Sequence, residues 1–359
     1  MNWYEKSDLI YYSNRKNNNN KIAAFDLDYT LIKTKSGKTF PLNKNDWILW
    51  NNKVLDKLNE LVSNGFQIII FTNQSKLKNN QTIEDFKYKI NNIIQLLNLE
   101  VQVFIATKSG YFRKPFTGMW DKMLEINEIN KVDEISFYCG DAAGRLGKNK
   151  DFSCSDRLFA YNIGINFFEP EDFFLDEQPS TNWKINKLNF TPYKIEEPHF
   201  DLEFKKQVLY LCVGYPGSGK STFYRKYLNN CKRINMDTLK TKKKCIKECF
   251  NFLEHGYSVV VDNTNPDCET RKLYIDMAKK LDISVICLYF SCEQKIANYM
   301  NKNRCQKSKG ENKLVPIIGY RIYNKKFTKP NLNEGFEKIL KIPFILQKNQ
   351  WNNLKFVYD

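Results

Sequence analysis

The sequence predicts an α/β protein of two domains, each built on a mostly parallel sheet flanked by helices. The chain has 359 residues, which is too long for one ordinary hydrophobic core. In each half, short apolar runs alternate with segments of helical periodicity, the order that is typical of parallel sheets. A proline-containing stretch of mixed charge, from about residue 169 to 206, separates the two halves.

The first domain is predicted to span residues 21–178, after a polar leader over residues 1–20. The leader ends in the low-complexity run NRKNNNNK. Strands are predicted at IAAF, FQIIIF, VQVFIA and EISFYCG, and helices near residues 53–64, 83–97 and 119–130. Helices between successive apolar runs supply the crossover connections that a parallel sheet needs.

A linker over residues 179–205 is predicted to lead into the second domain, residues 206–359. Its strands include QVLYLCVG, YSVVVDNTN and ISVICLYF, again separated by helical segments. The two halves share no internal repeat. We therefore expect them to carry different chemistry.

Charge and cysteine usage limit the classes of function. The formal net charge is +16 with a pI of about 9.2, which favours a polyanionic partner, nucleic acid first. A lysine- and asparagine-rich composition is the alternative explanation for part of this excess. The ten cysteines include no Cys-x-x-Cys pair, and there are two histidines, so we expect free thiols rather than disulfides or zinc.

No targeting or membrane segment is recognisable in the sequence. The N-terminus lacks the apolar core of a signal peptide, and no apolar run approaches the length that spans a bilayer. We expect a soluble, intracellular protein, and the sequence leaves nucleus and cytoplasm open.

Polar side chains follow the predicted strands of the first domain. Asp26 and Asp28 come directly after IAAF, where residues two apart point to the same side. The ends of the next strands lead to Thr72 with Asn73, to Lys114 and to Asp141. Because carboxyl ends of parallel strands form one edge, these groups are expected to meet there. An Asp-x-Asp pair by itself is equally consistent with an ordinary turn.

A phosphate-binding loop is predicted at the start of the second domain. GYPGSGKS fits G-x-x-x-x-G-K-[ST] between an apolar strand and a helix, so backbone N–H groups there would wrap nucleotide phosphates. Lys220 would reach the outer phosphates and Ser221 would bind Mg²⁺. The predicted nucleotide-binding residues are Gly214, Tyr215, Pro216, Gly217, Ser218, Gly219, Lys220, Ser221 and Thr222.

A kinase also needs a group that orients or deprotonates the acceptor hydroxyl. Asp237, in RINMDT, is the leading candidate, and Asp262, in SVVVDNTNPD, is suited to contacts with metal-bound water or the acceptor. Both could instead be helix caps. Arg304 lies in a polar stretch that could close as a lid and stabilise the transferring charge, and a solvated surface arginine is the alternative.

The four strand-end groups of the first domain resemble the motifs of the haloacid dehalogenase phosphatase superfamily. This resemblance implies that Asp26 is a nucleophile that forms an aspartyl-phosphate, while Asp28 protonates the leaving oxygen and then activates water. It also implies that Thr72 and Lys114 hold the phosphoryl oxygens. Mg²⁺ would be bound by Asp26, Asp28 and Asp141.

Together the two halves resemble the bifunctional polynucleotide kinase 3′-phosphatase family, from about residue 21 to 343. The segments that carry the resemblance are FDLDYTLIKTKSGKTFP, FTNQ, RKPFTGMWD, GDAAGR, KDFSCSDRLFA, GYPGSGKST, DNTNPD and EGFEKILKIPF. It implies a haloacid dehalogenase-like phosphatase domain followed by a P-loop kinase domain. The enzyme would remove 3′-phosphates and use ATP to phosphorylate 5′-hydroxyls of broken DNA. Apart from the resemblance, we expect a monomer.

On this resemblance Asn73, Arg113, Asp156 and Asp262 are assigned to the substrate, with Asp156 also supporting the phosphatase metal site. The sequence departs from the family in three places. Its N-terminal segment is too short for the phosphopeptide-binding domain of animal members. Met236 replaces a usual arginine before Asp237, and the stretch around Arg304 diverges. Tyr29 also stands where the superfamily often has glycine.

Other functions stay open at this point. The same two reactions on cleaved RNA are an alternative, because no motif here senses a 2′-hydroxyl. A catalytically inactive protein that binds nucleic-acid ends is an alternative from another class, and the complete residue sets at both sites weigh against it. A metabolite phosphatase fused to a small-molecule kinase is disfavoured by the net charge of +16.

Overall fold

The structure, a computed structural model, describes residues 2–14, 16–147, 150–185, 187–193, 198–200, 202, 206–346 and 354–358. The chain forms two compact units. The first comprises residues 1–187, 304–314 and 355–359, and the second comprises residues 188–303 and 315–354. The chain passes between them inside the segment 179–205, but the stretches 304–314 and 355–359, predicted as part of the kinase domain, cluster with the first unit.

The first unit contains nine strands and five helices within its described residues. The strands are β1 (Trp3–Lys6), β2 (Leu9–Tyr12), β3 (Ile22–Phe25), β4 (Ile32–Lys33), β5 (Ile48–Leu49), β6 (Gln67–Asn73), β7 (Val101–Ala106), β8 (Phe137–Cys139) and β9 (Asn166–Phe168). The helices are α1 (Lys53–Ser63), α2 (Asn80–Leu97), α3 (Gly118–Asn127), α4 (Ser155–Ile163) and α5 (Pro170–Leu175).

Seven of these strands form one sheet in the order β1-β2-β7-β6-β3-β8-β9. The strands from β7 to β9 in this order are parallel, whereas β1 and β2 form an antiparallel hairpin on the β7 edge. The prediction of a polar leader is therefore wrong for residues 3–12. The physical reason is that Leu9 and Tyr12 are 1% exposed, so this short segment buries apolar surface against the sheet.

Helices cover both faces of this sheet because its central strand is apolar on both sides. Phe25 of β3 faces a cluster that contains residues of α1 and α2, while Ala24 faces a second cluster that contains residues of α3 and α4. All four residues of β3 are buried. This double burial is what places the parallel strands in the interior and their carboxyl ends at one accessible edge.

The second unit has five strands and six helices within the described part of the chain. The strands are β10 (Val208–Val213), β11 (Lys232–Ile234), β12 (Val259–Val261), β13 (Ser284–Phe290) and β14 (Lys338–Ile342). The helices are α6 (Lys220–Tyr227), α7 (Met236–Leu239), α8 (Lys242–Glu254), α9 (Cys268–Lys280), α10 (Gln294–Lys307) and α11 (Ile317–Lys326).

The five strands of the second unit form an all-parallel sheet in the order β11-β12-β10-β13-β14. The central strand, β10, is fully buried and leads into the predicted phosphate-binding loop. The α/β class with mostly parallel sheets is thus confirmed for both units. No helix among the described residues combines the length and the apolar character that crossing a bilayer requires. None of the ten cysteines forms a disulfide bond.

Candidate active sites

Strand ends bring the predicted phosphatase residues together at one edge of the first sheet. Asp26 follows β3, Thr72 lies near the end of β6, and Asp141 follows β8. Lys114 comes from the loop after β7. The backbone N–H of Asp26 donates to the carbonyl of Cys139, 2.9 Å away, so the ends of β3 and β8 are tied side by side.

The ammonium group of Lys114 is the centre of this site. Its Nζ donates to Asp26 Oδ1 at 2.5 Å and to Asp156 Oδ1 at 2.7 Å. It also lies 2.8 Å from the Phe71 carbonyl and 2.7 Å from the Tyr138 hydroxyl, so four acceptors share its three N–H groups. Lys114 is 4% exposed. Burial lowers the pKa of Lys114, but Asp156 and Asp26 outweigh it and hold this pKa above its ordinary value, so the group stays charged.

Two carboxylates form ion pairs with this lysine and a third lies close to both of them, which leaves an excess of negative charge. Oxygens of Asp26, Asp141 and Asp156 lie within 4.8 Å of one another. Burial, and then the charge of Asp156, raise the pKa of Asp26 to about 7, although Lys114 opposes this shift. Burial and the charges of Asp26 and Asp156 raise the pKa of Asp141 well above its usual range. A cluster of hard oxygen ligands at this spacing suits a divalent cation such as Mg²⁺.

The carboxylate of Asp28 is held apart from that cluster. Its Oδ2 accepts from Gln74 Nε2 at 2.6 Å, and its Oδ1 accepts from Lys89 Nζ at 3.2 Å. Gln74 Nε2 also donates to Thr72 Oγ1 at 2.9 Å. The group of three neighbouring carboxylates does not include Asp28, so its predicted part as a metal ligand stays a prediction, whereas Asp156 joins the candidate ligands.

Two predicted substrate residues flank Lys114. The side chain of Asn73 exchanges hydrogen bonds with the Lys114 backbone, receiving the N–H at 3.0 Å and donating to the carbonyl at 3.2 Å. Asn73 therefore fixes the lysine in place. Arg113 is half-buried, burial lowers its pKa, and its buried Nη1 has no hydrogen-bond partner among the described residues. An unpaired guanidinium nitrogen beside Lys114 is suited to a phosphate oxygen.

Tyr29 adopts a backbone conformation that glycine tolerates better. Its φ is 60°, in the left-handed region. The Tyr29 hydroxyl donates to the carbonyl of Thr39 at 2.9 Å, so the side chain supports the loop that follows β4. The same loop is held by Asp46, whose carboxylate accepts from the N–H groups of Ser36 and Leu42.

The predicted phosphate-binding loop joins β10 to α6 in the second unit. Gly217 and Gly219 have φ values of 80° and 98°. A Cβ at Gly217 would lie 2.3 Å from the carbonyl oxygen of Ala297, so only glycine fits there. Lys220 Nζ folds back to the carbonyls of Gly214 and Tyr215, at 3.0 and 2.5 Å. The loop thus has the backbone course that a phosphate cradle requires.

Ser221 and Asp262 meet beside this loop. Ser221 Oγ donates to Asp262 Oδ2 at 2.7 Å, and Arg233 Nε donates to the same oxygen at 2.9 Å. Asp262 is 2% exposed, and its Oδ1 is buried without a hydrogen-bond partner among the described residues. Such an orphaned oxygen next to a P-loop serine fits a hydrated Mg²⁺.

The remaining predicted kinase residues are exposed. Asp237 lies in the four-residue helix α7, where its backbone N–H donates to the side chain of Asn235. Met236 is 42% exposed beside it. Arg304 lies in the last turn of α10, within the stretch that clusters with the first unit. The predicted roles of Asp237 and Arg304 stay predictions.

Four side chains at these sites were not predicted from the sequence. They are Gln74, Lys89, Tyr138 and Arg233. Gln74 ends the FTNQ motif, which was a usable signal. Lys89 interrupts the apolar face of α2 between Phe86 and Ile90, and a lysine at a buried helical position is a second signal. Nothing in the local sequence pointed to the other two.

Comparison with known proteins agrees with the two chemistries. A family model described as polynucleotide kinase 3 phosphatase matches residues 21–174, and one described as an AAA domain matches residues 209–316. A Schizosaccharomyces pombe protein, the bifunctional polynucleotide phosphatase/kinase, is 35% identical over 353 residues, covering 94% of this chain and 83% of that protein.

Two further relatives show that the similarity can cover nearly the whole chain or less than half of it. A protein of Acanthamoeba polyphaga mimivirus is 34% identical over 374 residues, covering 94% of this chain and 87% of that protein. The polynucleotide 3′-phosphatase of Saccharomyces cerevisiae is 30% identical over 211 residues, which is 43% of this chain and 87% of that protein. With both halves matched in order, the chain belongs to the bifunctional polynucleotide phosphatase/kinase family.

Proposed function

We propose that the protein repairs the ends of broken DNA strands, by hydrolysing 3′-phosphates in the first unit and phosphorylating 5′-hydroxyls with ATP in the second. The observation that carries the phosphatase half is the group formed by Asp26, Lys114, Asp141 and Asp156 at one sheet edge. Family membership supports the pairing of the two activities.

Each phosphatase residue has a distinct part in this proposal. An Asp26 oxygen attacks phosphorus while the bond to the 3′-oxygen breaks, and the proton of the Asp28 carboxyl goes to that oxygen. Asp28 then takes a proton from water, whose oxygen displaces Asp26 and releases inorganic phosphate. Lys114 and Thr72 hold the phosphoryl oxygens.

Mg²⁺ is the proposed cofactor of both sites. At the phosphatase site Asp26, Asp141 and Asp156 would hold it, with Asp28 as the further ligand that the sequence predicts. At the kinase site Ser221 would hold it, and Asp262 would contact its bound water. When bound, it supplies positive charge that offsets the repulsion between the phosphoryl oxygens and the carboxylates. At the phosphatase site the single ammonium group of Lys114 pairs with two carboxylates, and this excess of negative charge supports a bound Mg²⁺.

The kinase half is proposed to use the loop from Gly214 to Thr222 to bind the phosphates of ATP. Lys220, now bonded to loop carbonyls, would turn to the outer phosphates. Asp237 would accept the proton of the 5′-hydroxyl. Arg304 is proposed to stabilise the transferring charge.

DNA is the proposed substrate, and the protein is proposed to act as a monomer inside the cell. The charge of +16 supports a polyanionic substrate, and the unpaired Nη1 of Arg113 is proposed to contact a strand phosphate. Ten cysteines outside any disulfide bond suit a reducing compartment.

One oligonucleotide with a 3′-phosphate and a 5′-hydroxyl, incubated with ATP and Mg²⁺, tests the whole proposal. Asp26→Asn is expected to abolish 3′-dephosphorylation only, and Lys220→Ala to abolish 5′-phosphorylation only. Loss of both activities in either variant would contradict two separate sites. Matched DNA and RNA oligonucleotides decide between the substrates: equal or faster turnover of RNA would overturn the DNA assignment. Size-exclusion chromatography with light scattering tests the monomer.

A further inference from the structure

Lys89 is a buried lysine that faces the phosphatase site from α2. It is 4% exposed, and it lies on the helical face that also buries Phe86, Ile90 and Ile93. Its Nζ contacts Asp28 Oδ1 at 3.2 Å. Among the described residues, Asp28 is the one carboxylate within ion-pair distance of Lys89.

This position is costly for an ammonium group. A buried charge destabilises a fold unless it is paired and hydrogen-bonded, and an apolar side chain at this position would not carry that cost. Lys87, two residues earlier, shows the ordinary alternative, because it is partly exposed and forms ion pairs with the exposed carboxylates of Glu5 and Glu84. The free-energy cost of burying the Lys89 ammonium is therefore connected with its ion pair to Asp28.

We infer that Lys89 is a positioning residue that fixes the carboxyl group of Asp28 for proton transfer. The inference rests on the acid–base role proposed for Asp28. The side chain of Asp28 is 38% exposed, so by itself it would be free to rotate. Lys89 holds one of its oxygens and Gln74 holds the other, and together they fix the plane of the carboxyl group.

The second donor, Gln74, connects this carboxyl group to the phosphoryl-binding side. Its Nε2 is shared between Asp28 Oδ2, at 2.6 Å, and Thr72 Oγ1, at 2.9 Å. Gln74 therefore holds Asp28, the proposed acid, at a fixed distance from Thr72, which is proposed to bind a phosphoryl oxygen. Each carboxyl oxygen keeps a second lone-pair direction, which is available to the 3′-oxygen or to water. A general acid works only within hydrogen-bond reach of the oxygen that it protonates.

The test compares leaving groups, because a purely structural defect would slow all substrates alike. A 3′-phosphate leaves a sugar alkoxide that needs a proton, whereas p-nitrophenyl phosphate leaves a stable phenolate that does not. We expect Lys89→Met to slow single-turnover cleavage of a 3′-phosphorylated oligonucleotide by about 10²-fold. The burst of p-nitrophenolate, which reports the first step, should change by less than about threefold.

Lys87→Met is the matched control, since it removes a lysine from the same helix without touching Asp28, and it is expected to leave both rates unchanged. Asp28→Asn should slow the oligonucleotide far more than p-nitrophenyl phosphate, as Lys89→Met does. If Asp28→Asn slows both substrates equally, the role of Asp28 fails. If Asp28→Asn discriminates between the two substrates and Lys89→Met does not, the inference on Lys89 fails.

Folding of each variant is checked by circular dichroism and urea unfolding. If Lys89→Met does not fold, Gln74→Leu replaces it, because it removes the other donor from a partly exposed position. It is expected to give a split of about tenfold in the same direction. Equal slowing of both substrates, in whichever variant folds, would overturn the inference.

Discussion

Replacing Asp26 with asparagine is expected to stabilise the metal-free phosphatase unit, although it removes the proposed nucleophile. Three carboxylates lie close together at this site, and the folded protein holds Asp26 with a pKa raised to about 7, mainly by burial. A group whose pKa is higher in the folded state binds its proton more tightly there. Its contribution to stability is therefore complete below its ordinary pKa of 3.8 and is lost as the pH rises through about 7.

The size of the effect follows from this shift. A change in pKa from 3.8 to about 7 corresponds to about 4 kcal/mol, at about 1.4 kcal/mol per pH unit. Asparagine is neutral at every pH and keeps an oxygen that can accept from Lys114. At pH 8 without metal, Asp26→Asn should therefore unfold with a free energy about 2–4 kcal/mol above wild type. At pH 5, where wild-type Asp26 is protonated, the gain should fall below about 2 kcal/mol.

Urea unfolding in EDTA, followed by tryptophan fluorescence, measures this difference. Five of the six tryptophans belong to the first unit, at positions 3, 47, 50, 120 and 183, so the signal reports on the phosphatase half. Asp28→Asn is the matched control. It leaves the buried Lys89 without its carboxylate partner, so it should lower stability instead.

Magnesium should reverse the order of stability. Wild type gains from binding the ion at three carboxylates, whereas Asp26→Asn has lost one of them and gains less. The reasoning would be refuted if Asp26→Asn and wild type unfolded at the same urea concentration at pH 8 in EDTA. A gain of equal size at pH 5 and pH 8 would refute it as well.

Two further predictions concern loops at the two sites. Gly217→Ala should lower 5′-phosphorylation more than about tenfold and leave 3′-dephosphorylation unchanged. The reason is that a Cβ at this position would lie 2.3 Å from the Ala297 carbonyl oxygen. Full 5′-phosphorylation by this variant in the two-ended oligonucleotide assay would contradict the prediction. Asp46→Asn should speed hydrogen exchange of the Ser36 and Leu42 amides at pH 7. Hydrogen bonds from Leu42 and Ser36 lower the pKa of Asp46, so in wild type these two amides should lose their protection from exchange only as the pH falls below 3.8. Fast exchange of the two amides in wild type at pH 7 would contradict the hydrogen bonds assigned to Asp46.

Sequence reasoning succeeded where the signal is local. Asp26, Thr72 and Asp141 were placed correctly at strand ends, because an apolar run sets the strand and parallel strands end at a common edge. The phosphate-binding loop was found for a similar reason, since its glycines need positive φ at Gly217 and Gly219 within a few residues.

Packing between distant segments decided the rest. Residues 3–12 carry too short an apolar pattern to predict strands, and they form a hairpin because β2 pairs with the uncovered edge of β7. Asp156 joins Asp26, 130 positions away, because α4 begins beside the loop that follows β8.

The contact between Asp28 and Lys89 shows the limit most clearly. The sequence by itself determined the two sheets, the order of the strand-end groups and the phosphate-binding loop, since each depends on residues close together in the chain. The tertiary structure decided which charges meet. Asp28 and Lys89 are 61 positions apart, and their contact depends on which face of α2 turns toward β3. The burial of the whole apolar face of α2 decides which side of the helix turns toward β3. No single pair of residues in the sequence indicates this orientation.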